Sequence, residues 1–166
     1  MDASLSPESR IQALTGLSMA RAYELQRGQV IYRFYDRRRA PTPSQGAQGS
    51  WWFEFEHFQT IKHFALRHGY SLSYAARLFA AVLYEWSEVD AFVACRATRS
   101  IPCWKGRGRQ IRQDELSKPS RDPRDLPTMT PMQGVLEVYQ LFVPGLAGPQ
   151  SKVADLLQVH NSGLLT

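Results

Sequence analysis

The residues best suited to chemistry lie between Tyr32 and Ala65. In Gln29 to Tyr35, Val30, Tyr32 and Phe34 alternate with Ile31, Arg33 and Tyr35. A strand of this pattern places Arg33 on the face of Ile31, and an arginine withdrawn from water needs an anionic partner. Gly49-Ser50 then opens a second strand with Trp51, Phe53 and Phe55 on one face and Trp52, Glu54 and Glu56 on the other. So many aromatic rings beside Arg33, Glu54 and Glu56 either fill a core or line a site for a flat, charged ligand. The sequence leaves both open.

Other chemistries find no support. GRGRQI supplies only the start of a dinucleotide-binding pattern, and neither GxxxxGK[ST], HExxH nor GxSxG occurs. His57, His63, His68 and His160 have no metal-ligand spacing, so no metal is expected. Cys95 and Cys103 are the only cysteines and read as buried structural thiols. The formal net charge of +5 is concentrated in Arg37 to Arg39 and in Arg96, Arg99, Lys105, Arg107, Arg109 and Arg112. Such clusters suggest a polyanionic partner.

The elements that must position these residues follow from pattern and punctuation. Ser6-Pro7-Glu8 starts an N-terminal helical segment that Gly28 closes. The strand 29–35, a basic loop 36–48 suited to a flap or a disordered excursion, and the strand 49–55 come next. A helix follows from 56 or 57 to 68, then, after Gly69, a second whose apolar stripe runs from Ala75 to Trp86. Strands are expected at 89–98, 101–104 and 135–143, an irregular loop at 113–133, and a tail with one short helix near 151–159 that frays after Asn161. Strands that do not alternate with helices predict an α+β fold with a small mixed or antiparallel sheet. One domain is expected over 1–166, with residues 1–28 as the helical segment, 29–145 as core and 146–166 as tail. No segment approaches the roughly 20 apolar residues of a bilayer span. The N-terminus lacks a secretory pattern, which fits a cytoplasmic protein or one exported without a cleavable signal.

Taken together, Tyr32-Arg33, the Gly-Ser-aromatic strand opening a helix, and a late strand ending in Val143-Pro144-Gly145 resemble the ADP-ribosyltransferase superfamily. Its members carry an arginine on the first core strand, a serine- or tyrosine-bearing strand that opens a helix, and a glutamate on a late strand before a V/I-P-P/G turn. The resemblance implies NAD as substrate, with ADP-ribose passed to a protein or nucleic-acid target, or NAD hydrolysis. Arg33, flanked by Tyr32, would hold phosphate and ribose. Ser50 would floor the pocket, and Trp51, Trp52 or Phe53 would stack on nicotinamide. Counting back from the turn puts Gln140 at the glutamate position and Val138 two residues earlier. Glu137 is the nearest carboxylate but falls on the opposite face of the strand, and Glu54 or Glu56 could take its place.

Two alternatives use the same residues. The helical pair at 58–83 has the form of a helix-turn-helix in a basic nucleic-acid-binding module. A compact basic domain rich in aromatics also suits a non-enzymatic module that binds and blocks a partner protein.

Overall fold

The computed structural model describes residues 5–80, 82–131, 138–148 and 151–165. In chain order the elements are α1 (Pro7–Leu14), β1 (Arg21–Leu25), β2 (Val30–Tyr35), α2 (Pro43–Gly46), β3 (Trp51–Glu54), α3 (Phe55–His68), α4 (Leu72–Ala80), β4 (Ala91–Ala97), β5 (Ile101–Arg107), β6 (Ile111–Arg112), β7 (Thr128–Met129), β8 (Tyr139–Phe142), α5 (Val153–Leu156) and β9 (Leu157–Leu164). Seven strands form one sheet in the order β1-β5-β8-β3-β2-β4-β9, with every neighbouring pair antiparallel; β6 and β7 pair separately. The fold is therefore α+β.

Each helix has a local cause. Ser6 Oγ accepts the Ser9 N–H at 3.1 Å, Pro7 fits the first turn, and α1 follows. The expected loop at 36–48 is ordered by α2, where Thr42 and Gln45 cap each other reciprocally. α3 ends on Gly69 at φ 68°, with the Tyr70 N–H returning to the Ala65 carbonyl at 2.9 Å. α4 stops short of the apolar stripe that suggested it. The Arg77 guanidinium donates to the carbonyls of Val82 and Ser87, at 2.7 and 2.8 Å, and holds that segment in turns.

The sheet separates two principal cores. On one face, called here the Arg33 face, Leu25, Ile31, Trp52, Val93, Cys95, Cys103, Leu141 and Leu157 pack with Tyr35, Ala47 and Leu146 and against Ala40, Val153 and Leu156. On the other, the Gln140 face, Phe53, Ile61, Phe64, Ala75, Phe79 and Val138 pack beneath α3 and α4. α1 covers a smaller cluster of Ala13, Leu17, Trp104 and Phe142 beside the second core. Burial pushes the Cys95 and Cys103 thiols up to about 12, as expected of inert structural cysteines.

Both termini differ from expectation. The segment before Gly28 is helical only through Leu14 and then contributes the edge strand β1, whose Leu25 is fully buried. The tail forms a single helical turn and then β9, paired with β4 along its length, instead of fraying. The polar run His160-Asn161-Ser162-Gly163 hides this strand, because a bulge at its centre breaks the alternation.

Candidate functional site

The three segments singled out by sequence lie side by side, as β8, β3 and β2. Register divides their side chains between the faces. Ile31 lies opposite Glu54, Tyr32 opposite Phe53 and Trp52 opposite Leu141. By alternation Arg33, Trp52 and Glu54 share one face, while Tyr32, Trp51, Phe53 and Gln140 share the other.

Arg33 is half-buried, with no carboxylate in ion-pair range among the described residues. Its Nε donates to the Gly46 carbonyl at 2.9 Å and its Nη1 to the Trp51 carbonyl at 3.2 Å. A Cβ at Gly49 would fall 2.1 Å from its Cζ, so glycine is what lets the guanidinium lie there. Burial lowers its acid to about 10, which leaves it charged at neutral pH. Ser50 is buried, and its carbonyl accepts the Val143 N–H at 2.8 Å, joining β3 to β8.

The rings expected to stack on a ligand are engaged internally. Trp52 is 0% exposed and donates Nε1–H to the Gly49 carbonyl at 2.7 Å. Trp51 packs edge-on to Phe142 and covers Gly16. Phe53 packs edge-on to Phe34, and Tyr32 stacks on Phe58 with centroids 4.2 Å apart. Gln140 is buried on the opposite face from Arg33, and its Nε2 has no hydrogen-bond partner among the described residues. Glu137 lies outside the described residues.

What the fold does assemble is a polar cluster around Glu54, at the end of β3 where α3 begins. Glu54 is 6% exposed. Its Oε2 accepts Tyr23 O–H at 2.7 Å and Gln29 Nε2–H at 2.8 Å, and its Oε1 lies 2.5 Å from Lys105 Nζ. Burial pushes this acid up, but the Lys105 ammonium and the Tyr23 and Gln29 donors outweigh it, and the net shift is downward. Glu54 is thus anionic at neutral pH. The Lys105 ammonium is also 4.5 Å from the Tyr23 ring centroid and 5.6 Å from that of Tyr139, which the Arg107 guanidinium approaches equally closely. His57 packs edge-on to Tyr139, with Nε2 3.6 Å from Glu56 Oε1. Carboxylate, ammonium, guanidinium and two phenol rings therefore meet on the Arg33 face, a set that suits an anionic ligand with a hydroxylated sugar.

Among the described residues, Glu54, Glu56 and His57 are the one group with metal-ligand atoms mutually within 4.8 Å. Both Glu54 oxygens are already engaged by donors, and a dication there would sit against the Lys105 ammonium. Sequence reasoning named Glu54 but did not identify Tyr23, Gln29 and Lys105 as its supports. Lys105 is 51 residues away in the chain, and only the pairing of β5 with β8, itself next to β3 in the sheet, brings it near.

The basic clusters are largely spent within the chain. Arg37 pairs with Asp90, Arg38 with Asp36 and Glu88, and Arg112 with Asp114, while Arg39 and Arg109 donate to main-chain carbonyls. α4, the would-be recognition helix, has Arg77 as its basic residue, and that side chain is buried against the Tyr84 ring. Among the described residues no helix is long and apolar enough to cross a membrane.

No protein-family model matches the chain, and no curated protein does. Among solved structures it is similar to "Rhs1-CT in complex with cognate immunity protein RhsI1", with a TM-score of 0.47 and 13% identity over 88% of this chain and 81% of that one. A likeness of that strength says nothing about function.

Proposed function

We propose that this chain is an ADP-ribosyltransferase-like domain that binds NAD and cleaves its nicotinamide–ribose bond, with a macromolecular acceptor or water taking the ADP-ribose. One observation carries this reading: segments at Arg33, Ser50 and Gln140, scattered over the sequence, are consecutive strands β2, β3 and β8, and a helix springs directly from the middle one. In this scheme the ligand lies on the Arg33 face. Lys105, with Arg107 beside it, receives the diphosphate, and the Tyr23 and Tyr139 phenols flank the sugar. Glu54, held ionised, faces the positive charge that develops on the ribose as the carbon–nitrogen bond breaks and its electrons pass to the pyridinium. The acceptor's nucleophile then bonds to the same carbon and releases its proton. Gln140, uncharged and on the other face, takes no part, so the carboxylate role passes to Glu54.

Calorimetry with NAD and an assay for released nicotinamide test this directly. The expected outcome is NAD binding at submillimolar concentration. Glu54→Gln should lose about a hundredfold or more in nicotinamide release while keeping affinity within a few fold. Lys105→Ala should weaken binding itself. Absence of NAD binding at millimolar ligand would overturn the proposal.

A further inference from the structure

The helical pair carries positive charge that nothing in the chain answers. From His57 to Tyr84 the sequence holds no Asp or Glu. Within that stretch Lys62 and Arg67 are exposed and have no ion-pair partner among the described residues. At the turn from α3 to α4 three exposed rings form a row next to Arg67. His68 stacks on Tyr70, with centroids 5.7 Å and planes 20° apart, and Tyr74 meets Tyr70 edge-on at 5.1 Å. Tyr70 is 45% and Tyr74 43% exposed, so ring surface is left in water. The row is fixed from below. Buried Phe64 touches His68 and Tyr70, with centroids 4.4 and 5.9 Å away, and Ser71 Oγ accepts the Tyr74 N–H at 3.1 Å. Arg67 and His68 follow Phe64 by three and four residues, so guanidinium and rings occupy adjoining sides of the last turn of α3.

From this we infer that the α3–α4 turn is a platform for single-stranded nucleic acid, whose bases stack on Tyr70 and Tyr74 while its phosphates lie against Arg67. The partner must supply flat rings and negative charge together. An acidic peptide would answer the guanidinium and leave the rings uncovered. An apolar helix would cover the rings, but each ends in a polar hydroxyl or imidazole edge and a cation stands beside them, which is no oily groove. A duplex keeps the faces of its bases inside its own stack, and α4 offers no basic side chain free to enter a groove, since Arg77 is buried. A single strand exposes both features at once, because every base has a π-face and every linkage a charge. A row of this size takes about two or three successive bases. Its support by Phe64 and Ser71 means that little order has to be gained on binding. The platform is at the end of α3 remote from Glu54, and the inference stands apart from the NAD reading.

The test is fluorescence anisotropy of the full chain with labelled oligo-dT and oligo-rU of about twelve nucleotides and with a duplex of the same length, between about 50 and 200 mM salt. At least one single strand should bind, and about tenfold or more tighter than the duplex; the ratio of the two single strands tells DNA from RNA. Tyr70→Ala and Tyr74→Ala should each weaken binding about tenfold with an unchanged circular dichroism spectrum, and Tyr70→Phe, which keeps the ring, should bind like the wild type. Arg67→Ala should weaken binding and reduce the salt slope by about 0.7, the share of one phosphate contact on a single strand. Arg27→Ala, which removes an exposed arginine outside the helical pair, should change neither. The inference is overturned if neither single strand binds up to about 100 μM protein, or if the duplex binds as tightly. It is overturned equally if the alanine variants at Tyr70 and Tyr74 bind like the wild type, if Tyr70→Phe loses as much as Tyr70→Ala, or if Arg27→Ala costs as much as Arg67→Ala. Displacement of the strand by a polyglutamate peptide as readily as by unlabelled strand would make the turn a dock for acidic protein and overturn it too. None of these readouts involves NAD, so the inference fails or holds separately from the activity.

Discussion

Glu54 and Lys105 form a pair whose two members depend on each other unequally. Glu54 is buried, and its charge is tolerated because an ammonium and two neutral donors surround it; Lys105 keeps part of its surface in water. Lys105→Met should therefore destabilise the chain by about 3 kcal/mol in urea titrations at neutral pH, since it leaves a buried carboxylate without its cation. Adding Glu54→Leu should recover most of that loss. The sign with pH follows from the net downward shift of Glu54: its stabilisation is present above the ordinary carboxylate range and is lost as pH falls through the folded-state value. The gap between wild type and Lys105→Met should then close on acidification. Arg33 offers a second test at this scale. Gly49→Ala drives a methyl into its guanidinium and breaks donations to Gly46 and Trp51, at a cost of about 2 kcal/mol, and Arg33→Met should tolerate the same alanine better.

At the scale of elements, the hinge between α3 and α4 rests on one residue. Gly69 has φ 68°, and a Cβ added there would meet nothing within 4 Å, so only backbone preference is at stake. Gly69→Ala should cost about 1 kcal/mol and Gly69→Asn less, measured as urea midpoints. This turn was legible in the sequence, as were β2, β3 and α3, because alternation, glycine punctuation and the helical stripe act within a few residues. β1 and β9 were not. In β1 only Leu25 is fully buried, and in β9 the bulge at His160 erases the alternation, so their pairing with β5 and β4 decides their structure. The candidate site divides along the same line. Counting along each strand puts Arg33 with Ile31 and Glu54 with Trp52, but only the register of β2 against β3 decides that these faces coincide. Nothing local tells that Tyr23, Gln29 and Lys105 converge on Glu54, or that Trp52, the obvious stacking ring, is sealed inside.

At the scale of the whole molecule, segments far apart in sequence are fastened by charge around Asp36, at the end of β2. Its carboxylate is 4% exposed and accepts from the main chain of Arg38 and Glu88 and from the Arg38 guanidinium. Glu88 in turn pairs with Arg124, which pairs with Asp122 and lies over the Tyr84 ring; Asp125 accepts the main-chain N–H groups of Tyr84 and Glu85. Loops near 36–38, 84–90 and 120–125 are thereby closed into one clasp. Burial alone would push the Asp36 acid up, yet the Arg38 guanidinium and the two main-chain donors bring it down from 3.8 to about 2. Because the folded value lies below the unfolded one, stability from this group is complete above the unfolded value and is lost as pH falls from 3.8 toward about 2. Urea midpoints for the wild type should fall across that interval. Asp36→Asn, which keeps one acceptor oxygen but cannot ionise, should be less stable than the wild type near pH 6 and show a shallower decline on the acid side. If the two chains instead declined in parallel, Asp36 would titrate alike folded and unfolded, and the clasp would owe its closure to the Tyr84 stacking and the Arg124 pairs alone.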